Sequence, residues 1–171
     1  MLTEALKKQI QALQKLYPER RSALIPALHL VQSVLGYLPP EAQKEVAELF
    51  AIDPNEVQGI VTFYDMFFES PPGKHLLHVC KNASCMLRGS DQLIETLCQK
   101  LQVSPREVTG DGEFSIIPSE CLGACDRAPV LLVDDKIVGP VPLEEIDQIL
   151  TEARKKQGRD SPVEELEVEH G

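Results

Sequence analysis

The stretch GKHLLHVCKNASC, residues 73–85, decides how the second half of the chain is interpreted, because a strand-like apolar run leads directly into two cysteines. A second stretch, ECLGACDRAPV at residues 120–130, follows another strand-like run at 114–117. Each cysteine pair is therefore predicted to lie in a loop after the end of a strand. Two strand ends can bring four thiols together, so the pattern suits a metal centre. The four cysteines are Cys80, Cys85, Cys121 and Cys125.

The segments around these stretches alternate between strand and helix patterns. Residues 75–79, 114–117, 130–133 and 137–138 are predicted strands. A helix is predicted from Ser90, and another over 143–150, because apolar residues recur three or four positions apart. The order of these elements predicts a small α/β sandwich.

The first seventy residues have only helical patterns. Apolar stripes predict four helices, the clearest of which begins at Asp53, a side chain that can cap a helix, followed by Pro54 at the first helical position. Glu56 is expected to complete this cap, and Gly36 to end the second helix. A cluster of aromatic residues ends this region and is predicted to lie in a core between helices or domains. The predicted core positions are Leu2, Leu6, Ile10, Leu13, Leu16, Leu24, Leu28, Val31, Leu35, Val46, Leu49, Phe50, Val57, Ile60, Val61, Phe63, Tyr64, Phe67 and Phe68.

A Pro-Pro-Gly break at 71–73 separates the helical region from the mixed one. The predicted domains are an N-terminal helical domain over 1–72 and a second domain over 73–155. Residues 160–171 contain five acids and no Lys or Arg, which predicts that 156–171 is an acidic, disordered tail.

Composition and charge exclude several classes of function. The 171 residues are 43% hydrophobic and contain no apolar stretch near the ~18 residues that a membrane span needs. A net charge of -10 has the wrong sign for binding nucleic acid or anionic lipid. The N-terminus lacks the pattern of a signal or transit peptide, so a reducing cytoplasm is expected, without nucleic-acid partners or membrane insertion.

The four loop cysteines suit an iron-sulfur cluster, because the short, mostly small or polar segments between them let backbone N–H groups approach its sulfurs. Three other interpretations compete with it. Disulfides are disfavoured by a reducing compartment and by the odd fifth cysteine. Structural zinc accepts gaps of two to four residues, as found here between Cys80 and Cys85 and between Cys121 and Cys125. A thioredoxin-type dithiol needs a two-residue gap, which neither pair has.

The fifth cysteine and the histidines are not expected to be ligands. Cys98 falls on the apolar face of its helix, between Ile94 and Leu101, and is predicted to pack in the core. Each histidine is expected to be a surface or core residue. The histidines are His29, His75, His78 and His170.

The cysteine quartet and its flanking sequence resemble the 24 kDa (E-type) subunit family of NADH:quinone oxidoreductase, respiratory complex I. Further segments match in order: HLVQSVLGYLP at 29–39, VQGIVTFYDMF at 57–67 and TGDGEFSI at 109–116. The resemblance implies an α+β fold in which an N-terminal helical bundle precedes a thioredoxin-like [2Fe-2S] ferredoxin domain. It also implies that Cys80, Cys85, Cys121 and Cys125 bind one [2Fe-2S] cluster.

The same resemblance implies a function in electron transfer. The cluster would accept single electrons from FMN in a partner flavoprotein subunit, 51 kDa-like, which binds FMN and NADH. In agreement, the chain has neither a G-x-G-x-x-G turn nor a P-loop. The chain would not be catalytic alone, and would lie on the inner face of the cell membrane through further subunits of the complex. Similar subunits serve NAD-linked hydrogenases and formate dehydrogenases, and a zinc-stabilised docking module is the alternative from another class.

Overall fold

The structure, a computed structural model, describes residues 1–156 and 158. These residues divide into two compact units, one over 1–71 and the other from residue 72 onward. The predicted acidic tail at 156–171 lies outside the described residues except for positions 156 and 158.

The first unit is built from four helices. They are α1 (Glu4–Gln14), α2 (Leu24–Leu35), α3 (Pro40–Phe50) and α4 (Pro54–Phe63), with a 3-10 turn over Arg20–Ala23 before α2. Their apolar stripes meet in one core, whose residues are removed from water. Large members of this core are Leu6, Ile10, Leu24, Leu28, Val31, Val46, Phe50 and Val57.

The helix boundaries follow local signals in the sequence. Asp53 caps α4 as predicted, with its carboxylate accepting a hydrogen bond from the Asn55 N–H at 2.8 Å. Glu56 does not complete that cap, because its carboxylate pairs with Arg21 instead. Gly36 ends α2 as predicted, with a φ of 82° that favours glycine.

Two predicted core residues of this unit are wrong. Leu16 is 76% exposed, because α1 ends at Gln14 and the apolar stripe does not continue past it. Phe63 is 77% exposed at the last position of α4, although Phe67 of the same aromatic cluster is buried and its ring lies 4.9 Å from that of His29.

The second unit contains a four-stranded sheet and three helices. The strands are β1 (His75–Cys80), β2 (Phe114–Ser119), β3 (Leu131–Val133) and β4 (Lys136–Val138), in the spatial order β2-β1-β3-β4. The helices are α5 (Ala83–Leu87), α6 (Ser90–Leu101) and α7 (Ile146–Arg154). The core of this unit combines α6, α7 and the sheet, and includes Leu77, Val79, Leu93, Leu97, Phe114, Ile116, Leu131 and Ile146.

The pairing of the two longest strands is what positions the cysteines. β1 and β2 are parallel, with Cα partners from His75 and Phe114 at one end to Cys80 and Ser119 at the other. A parallel pair needs a crossover connection, and α6 lies in that connection. β3 runs antiparallel to β1 on its other side and also to β4. Both parallel strands therefore end at the same edge of the sheet.

Within the part of the chain that the structure describes, no helix combines the length and the apolar character that a membrane crossing requires.

Candidate metal centre

Two segments that follow β1 and β2 carry the four cysteines of the predicted site. We call residues 80–88 the first arm and residues 119–127 the second arm. The arms are joined where the strands end: the Lys81 N–H donates to the Ser119 carbonyl at 2.9 Å. The Cys80 N–H donates to the Val130 carbonyl at 3.1 Å, and Cys80 is also the Cα partner of Ser119 in β2. The end of β1 is therefore paired with chain segments on both of its edges.

The first arm contains regular secondary structure where the sequence predicts a loop. Cys80 is the last residue of β1 rather than a loop residue, because its backbone continues the ladder. Cys85 lies on the short helix α5, which begins after Asn82; the Asn82 side chain accepts a hydrogen bond from the Ala83 N–H at 2.9 Å. A helix of five residues is too short to produce an apolar period, so only the capping residue indicates it in the sequence.

The second arm is a loop, as predicted. Cys121 follows β2 by two residues, and Cys125 begins a 3-10 turn over Cys125–Arg127. Gly123 lies midway between them with a φ of 75°, a conformation that a residue with a Cβ rarely adopts. The turn brings the Sγ atoms of Cys121 and Cys125 to 4.0 Å.

The cysteines of the two arms differ sharply in exposure. Cys80 and Cys85 are buried, at 2% and 1% exposure, whereas Cys121 and Cys125 are exposed. The buried pair packs in a small cluster of its own, separate from the main core of the unit. The other members of this cluster are Ala124, Ala128, Val130 and the partly buried Leu122. Most of these side chains are small, which lets the backbone come close to the sulfurs.

Hydrogen bonds to sulfur set the ionisation of the buried pair. Burial raises the pKa of the Cys80 thiol, but the hydrogen bonds that its sulfur accepts outweigh burial and hold the pKa below its ordinary value. The donors are the backbone N–H groups of Leu122 and Asn82 and the thiol of Cys85. Burial raises the pKa of Cys85, and the hydrogen bond to Cys80 raises it further. Cys80 is therefore the more acidic of the two.

The donor set suits an iron-sulfur cluster. Backbone N–H groups already point at two of the four sulfurs: those of Leu122 and Asn82 at Cys80, and that of Val130 at Cys85. Such donors stabilise the negative charge that a thiolate-bound cluster carries. In residues 1–156 and 158, however, no group of three or more His, Cys, Asp and Glu side chains has the arrangement that would hold a metal ion. The thiols are brought together as two pairs.

Charged side chains surround the arms. Lys81 of the first arm and Glu120 of the second form an ion pair at 3.1 Å, both well exposed. The Glu120 carboxylate also acts on the site, since its negative charge opposes ionisation of Cys80 and so raises the pKa of that thiol. A second exposed pair joins Asp126 and Arg127 beside Cys125 at 3.4 Å.

Two of the described histidines contact polar side chains. His75 is fully buried, and its Nδ1 lies 2.8 Å from an Asp134 carboxylate oxygen. His78 is half-buried, with Nδ1 2.9 Å from the Ser119 hydroxyl oxygen. His29 is exposed beside Phe67, and His170 lies outside the described residues.

Cys98 lies on α6, half-buried against the core of the second unit. Burial raises the pKa of its thiol.

The N–H groups that point at Cys80 and Cys85 could not be found from the sequence, because any residue except proline supplies an N–H and only folding directs it.

Comparison with known proteins identifies the family. Residues 10–154 match the model of the thioredoxin-like [2Fe-2S] ferredoxins, and the chain belongs to this family. The predicted α+β class, a helical N-terminal region followed by a thioredoxin-like domain, is thereby confirmed.

Two relatives indicate the setting in which such chains occur. The E-type subunit of the NADH-quinone oxidoreductase of Aquifex aeolicus is 40% identical over 84% of this chain and 91% of its own length. The HndA subunit of the NADP-reducing hydrogenase of Solidesulfovibrio fructosivorans is 34% identical over 89% of each chain.

Among solved structures, a chain of the NAD⁺-reducing [NiFe]-hydrogenase in the air-oxidised state matches with a TM-score of 0.62 and 25% identity. The match covers 77% of this chain but only 23% of the hydrogenase chain.

Proposed function

We propose that the chain is the electron-transfer subunit of an NADH-oxidising complex of the NADH:quinone oxidoreductase type, with one [2Fe-2S] cluster and no catalytic activity of its own. The observation that carries the proposal is the placement of two cysteine pairs at the ends of adjacent parallel strands, in a member of the thioredoxin-like [2Fe-2S] ferredoxin family. The E-type subunits of NADH-quinone oxidoreductases match this chain over most of their length.

The proposed ligands are Cys80, Cys85, Cys121 and Cys125. A [2Fe-2S] cluster would be held by four thiolates, which is the number that the two arms supply. A bound [2Fe-2S] cluster would supply one-electron chemistry, since it accepts and releases a single electron.

The residues of the chain would hold and tune such a cluster in three ways. Burial of Cys80 and Cys85 keeps water from their sulfurs, and the lower local dielectric strengthens every charge interaction there. The N–H groups that point at Cys80 and Cys85 would stabilise added negative charge. The exposed second arm would leave one side of the site open to another protein.

The surface beside the site suits contact with a partner subunit. Met86 and Leu87 directly follow Cys85 on α5 and are 50% and 81% exposed, so two large apolar side chains face water next to the proposed ligands. Protein interfaces bury such residues. The proposed partner is the flavoprotein subunit that binds FMN and NADH, with the complex attached to the inner face of the cell membrane from the cytoplasm.

A second candidate is the equivalent diaphorase subunit of an NAD-linked hydrogenase. The similarity to the hydrogenase subunit HndA, over 89% of each chain, favours it specifically. Both candidates need the same cluster, and they differ in the complex with which the chain would be purified.

Metal analysis of the full chain, purified without oxygen, tests the proposal. About two irons and two acid-labile sulfides per chain, with visible absorbance that dithionite bleaches, are expected. A colourless protein with about one zinc would contradict electron transfer and favour a zinc-stabilised docking module. Co-purification with a hydrogenase subunit would identify the hydrogenase complex, whereas co-purification with a quinone-reducing activity would identify the NADH:quinone oxidoreductase complex.

A further inference from the structure

The second arm presents two thiols that are both exposed and already adjacent. The Sγ atoms of Cys121 and Cys125 are 4.0 Å apart, about 2 Å more than the length of a disulfide bond. We propose that in the chain without a cluster these two cysteines form a reversible disulfide, and that this bond blocks loading of the cluster. The blocking role rests on the proposed function, whereas formation of the bond does not.

The backbone between the two cysteines favours their approach. Gly123 takes a φ of 75°, and a Cβ at this position would meet no atom within 4 Å, so no neighbouring group packs against the turn there. Closing a ring of a few residues costs little chain entropy compared with a long loop. Because both side chains are exposed and their sulfurs are already 4.0 Å apart, about 2 Å remains to be closed by the two side chains and the turn.

The other described cysteines are poorer candidates for oxidation. Cys80 and Cys85 contact one another, but both are at most 2% exposed, so a dissolved oxidant cannot reach them without opening of the fold. Cys98 is half-buried on α6 and packs against the core of its unit. Access, which controls thiol–disulfide exchange, therefore singles out the second arm.

The oxidant that we propose is a low-molecular-weight disulfide such as oxidised glutathione. One protein thiolate attacks a sulfur of this disulfide, forming a mixed disulfide and releasing one glutathione thiolate. The second protein thiolate then attacks the protein sulfur of the mixed disulfide, so that the Cys121–Cys125 bond forms and the second glutathione thiolate leaves. The two protons of the protein thiols end on the two released glutathione molecules. The protein loses two electrons and oxidised glutathione gains them.

The consequence for the site follows from the chemistry of sulfur. A sulfur in a disulfide is not a thiolate and does not bind iron, so the bond removes two of the four proposed ligands. A dithiol reductant returns both thiols and restores the site. Oxidation of Cys121 and Cys125 would thereby hold the chain in a cluster-free form, while the buried Cys80 and Cys85 keep their thiols.

Mapping of the bond tests the first part of the proposal. The full-length cluster-free chain is equilibrated without oxygen with mixtures of reduced and oxidised glutathione, its free thiols are alkylated in denaturant, and its peptides are analysed by mass spectrometry. A cross-link between Cys121 and Cys125 is expected, with Cys80, Cys85 and Cys98 alkylated. In the matched variants Cys121→Ser and Cys125→Ser, the remaining cysteine of the arm should carry glutathione. A cross-link that forms first between Cys80 and Cys85, a disulfide-linked dimer, or stable glutathione adducts on both exposed cysteines would overturn the proposal.

Loading with iron and sulfide tests the second part. The oxidised chain should take up iron at least about tenfold more slowly than the reduced chain, and dithiothreitol should restore the rate, because reduction regenerates the attacking and binding thiolates. If oxidised and reduced chains load equally, the blocking role is wrong and the proposed function stands. If the reduced chain also takes up no iron, the proposed function fails, and the blocking role fails with it.

Discussion

The first and second arms begin in the same way and end in different environments. Each leaves the carboxyl end of a parallel strand, and each carries two cysteines a few residues apart. In the first arm the short helix α5 turns Cys85 back toward Cys80, and both sulfurs are buried among hydrogen-bond donors. In the second arm Gly123 turns the chain, and both sulfurs face water. The cysteines of the first arm are therefore held by packing in a buried cluster, whereas those of the second arm are positioned mainly by the backbone turn at Gly123.

Removal of a single proposed ligand from either arm should abolish cluster binding, which is the largest effect that we expect. Cys85→Ala and Cys121→Ala each remove one proposed ligand, so iron should fall from about two per chain to nearly none. Iron and sulfide analysis of the anaerobically purified chain measures this. Cys98→Ala is the matched control, since Cys98 packs in the core away from the arms. Equal iron loss in that control would contradict the assignment of ligands.

The two arms should differ in what they contribute to folding without metal. Cys85→Ala removes a buried sulfur that contacts Cys80 and the Val130 N–H, and leaving such groups without a partner costs about 1–3 kcal/mol. Cys121→Ala changes an exposed side chain and should alter the free energy of unfolding by less than about 0.5 kcal/mol. Urea unfolding of the cluster-free chains measures both values. Equal losses would show that the arms are energetically alike.

The backbone turn of the second arm can be tested by itself. Gly123→Ala forces a Cβ into the left-handed region at a φ of 75° and should cost about 1 kcal/mol, although no atom lies near enough to clash. Gly110→Ala is the control, because a Cβ there also meets nothing and its φ is not in that region. Thermal unfolding of the two variants compares them. If Gly123→Ala is as stable as the control, the turn does not depend on glycine.

The ion pair between the arms should have the smallest effect. Lys81 and Glu120 join the arms at 3.1 Å, but both are exposed, so Glu120→Gln should change stability by less than about 0.5 kcal/mol. Salt should reduce the difference further, since it screens exposed charges. Asp147→Asn, which removes the exposed pair with Lys100 on the helices α6 and α7, is the comparison. A loss several times larger in Glu120→Gln would mean that the pair helps to hold the arms together.

Much of the fold could be predicted because its signals are local. The cap at Asp53, the glycine at the end of α2 and the apolar stripe of α6 each depend on residues close in sequence. Leu16 was predicted wrongly because it continues the apolar pattern after α1 has ended. Phe63 was predicted wrongly because it belongs to an aromatic cluster in the sequence, yet its side chain at the end of α4 faces water. α5 was missed because five residues cannot show a helical period.

For the site, the identity and spacing of Cys80, Cys85, Cys121 and Cys125 were apparent from the sequence, and their role as ligands is still a prediction. The sequence also indicates that each pair follows a strand, because an apolar run ends just before each pair. No sequence pattern separates a buried cysteine from an exposed one when both follow a strand. Whether each pair is buried or exposed depends on segments that pack against it from elsewhere in the chain.

Four cysteines in two close pairs, a helical first half, a mixed second half and an acidic balance of charge can all be identified in the amino-acid sequence. The burial of Cys80 and Cys85, the exposure of Cys121 and Cys125, and the N–H groups of Val130 and Leu122 that point at sulfur arise when the chain folds. The physical reason is that composition and spacing are properties of the chain, whereas burial and hydrogen-bond direction depend on residues brought together by the parallel pairing of β1 with β2 and the antiparallel return of β3.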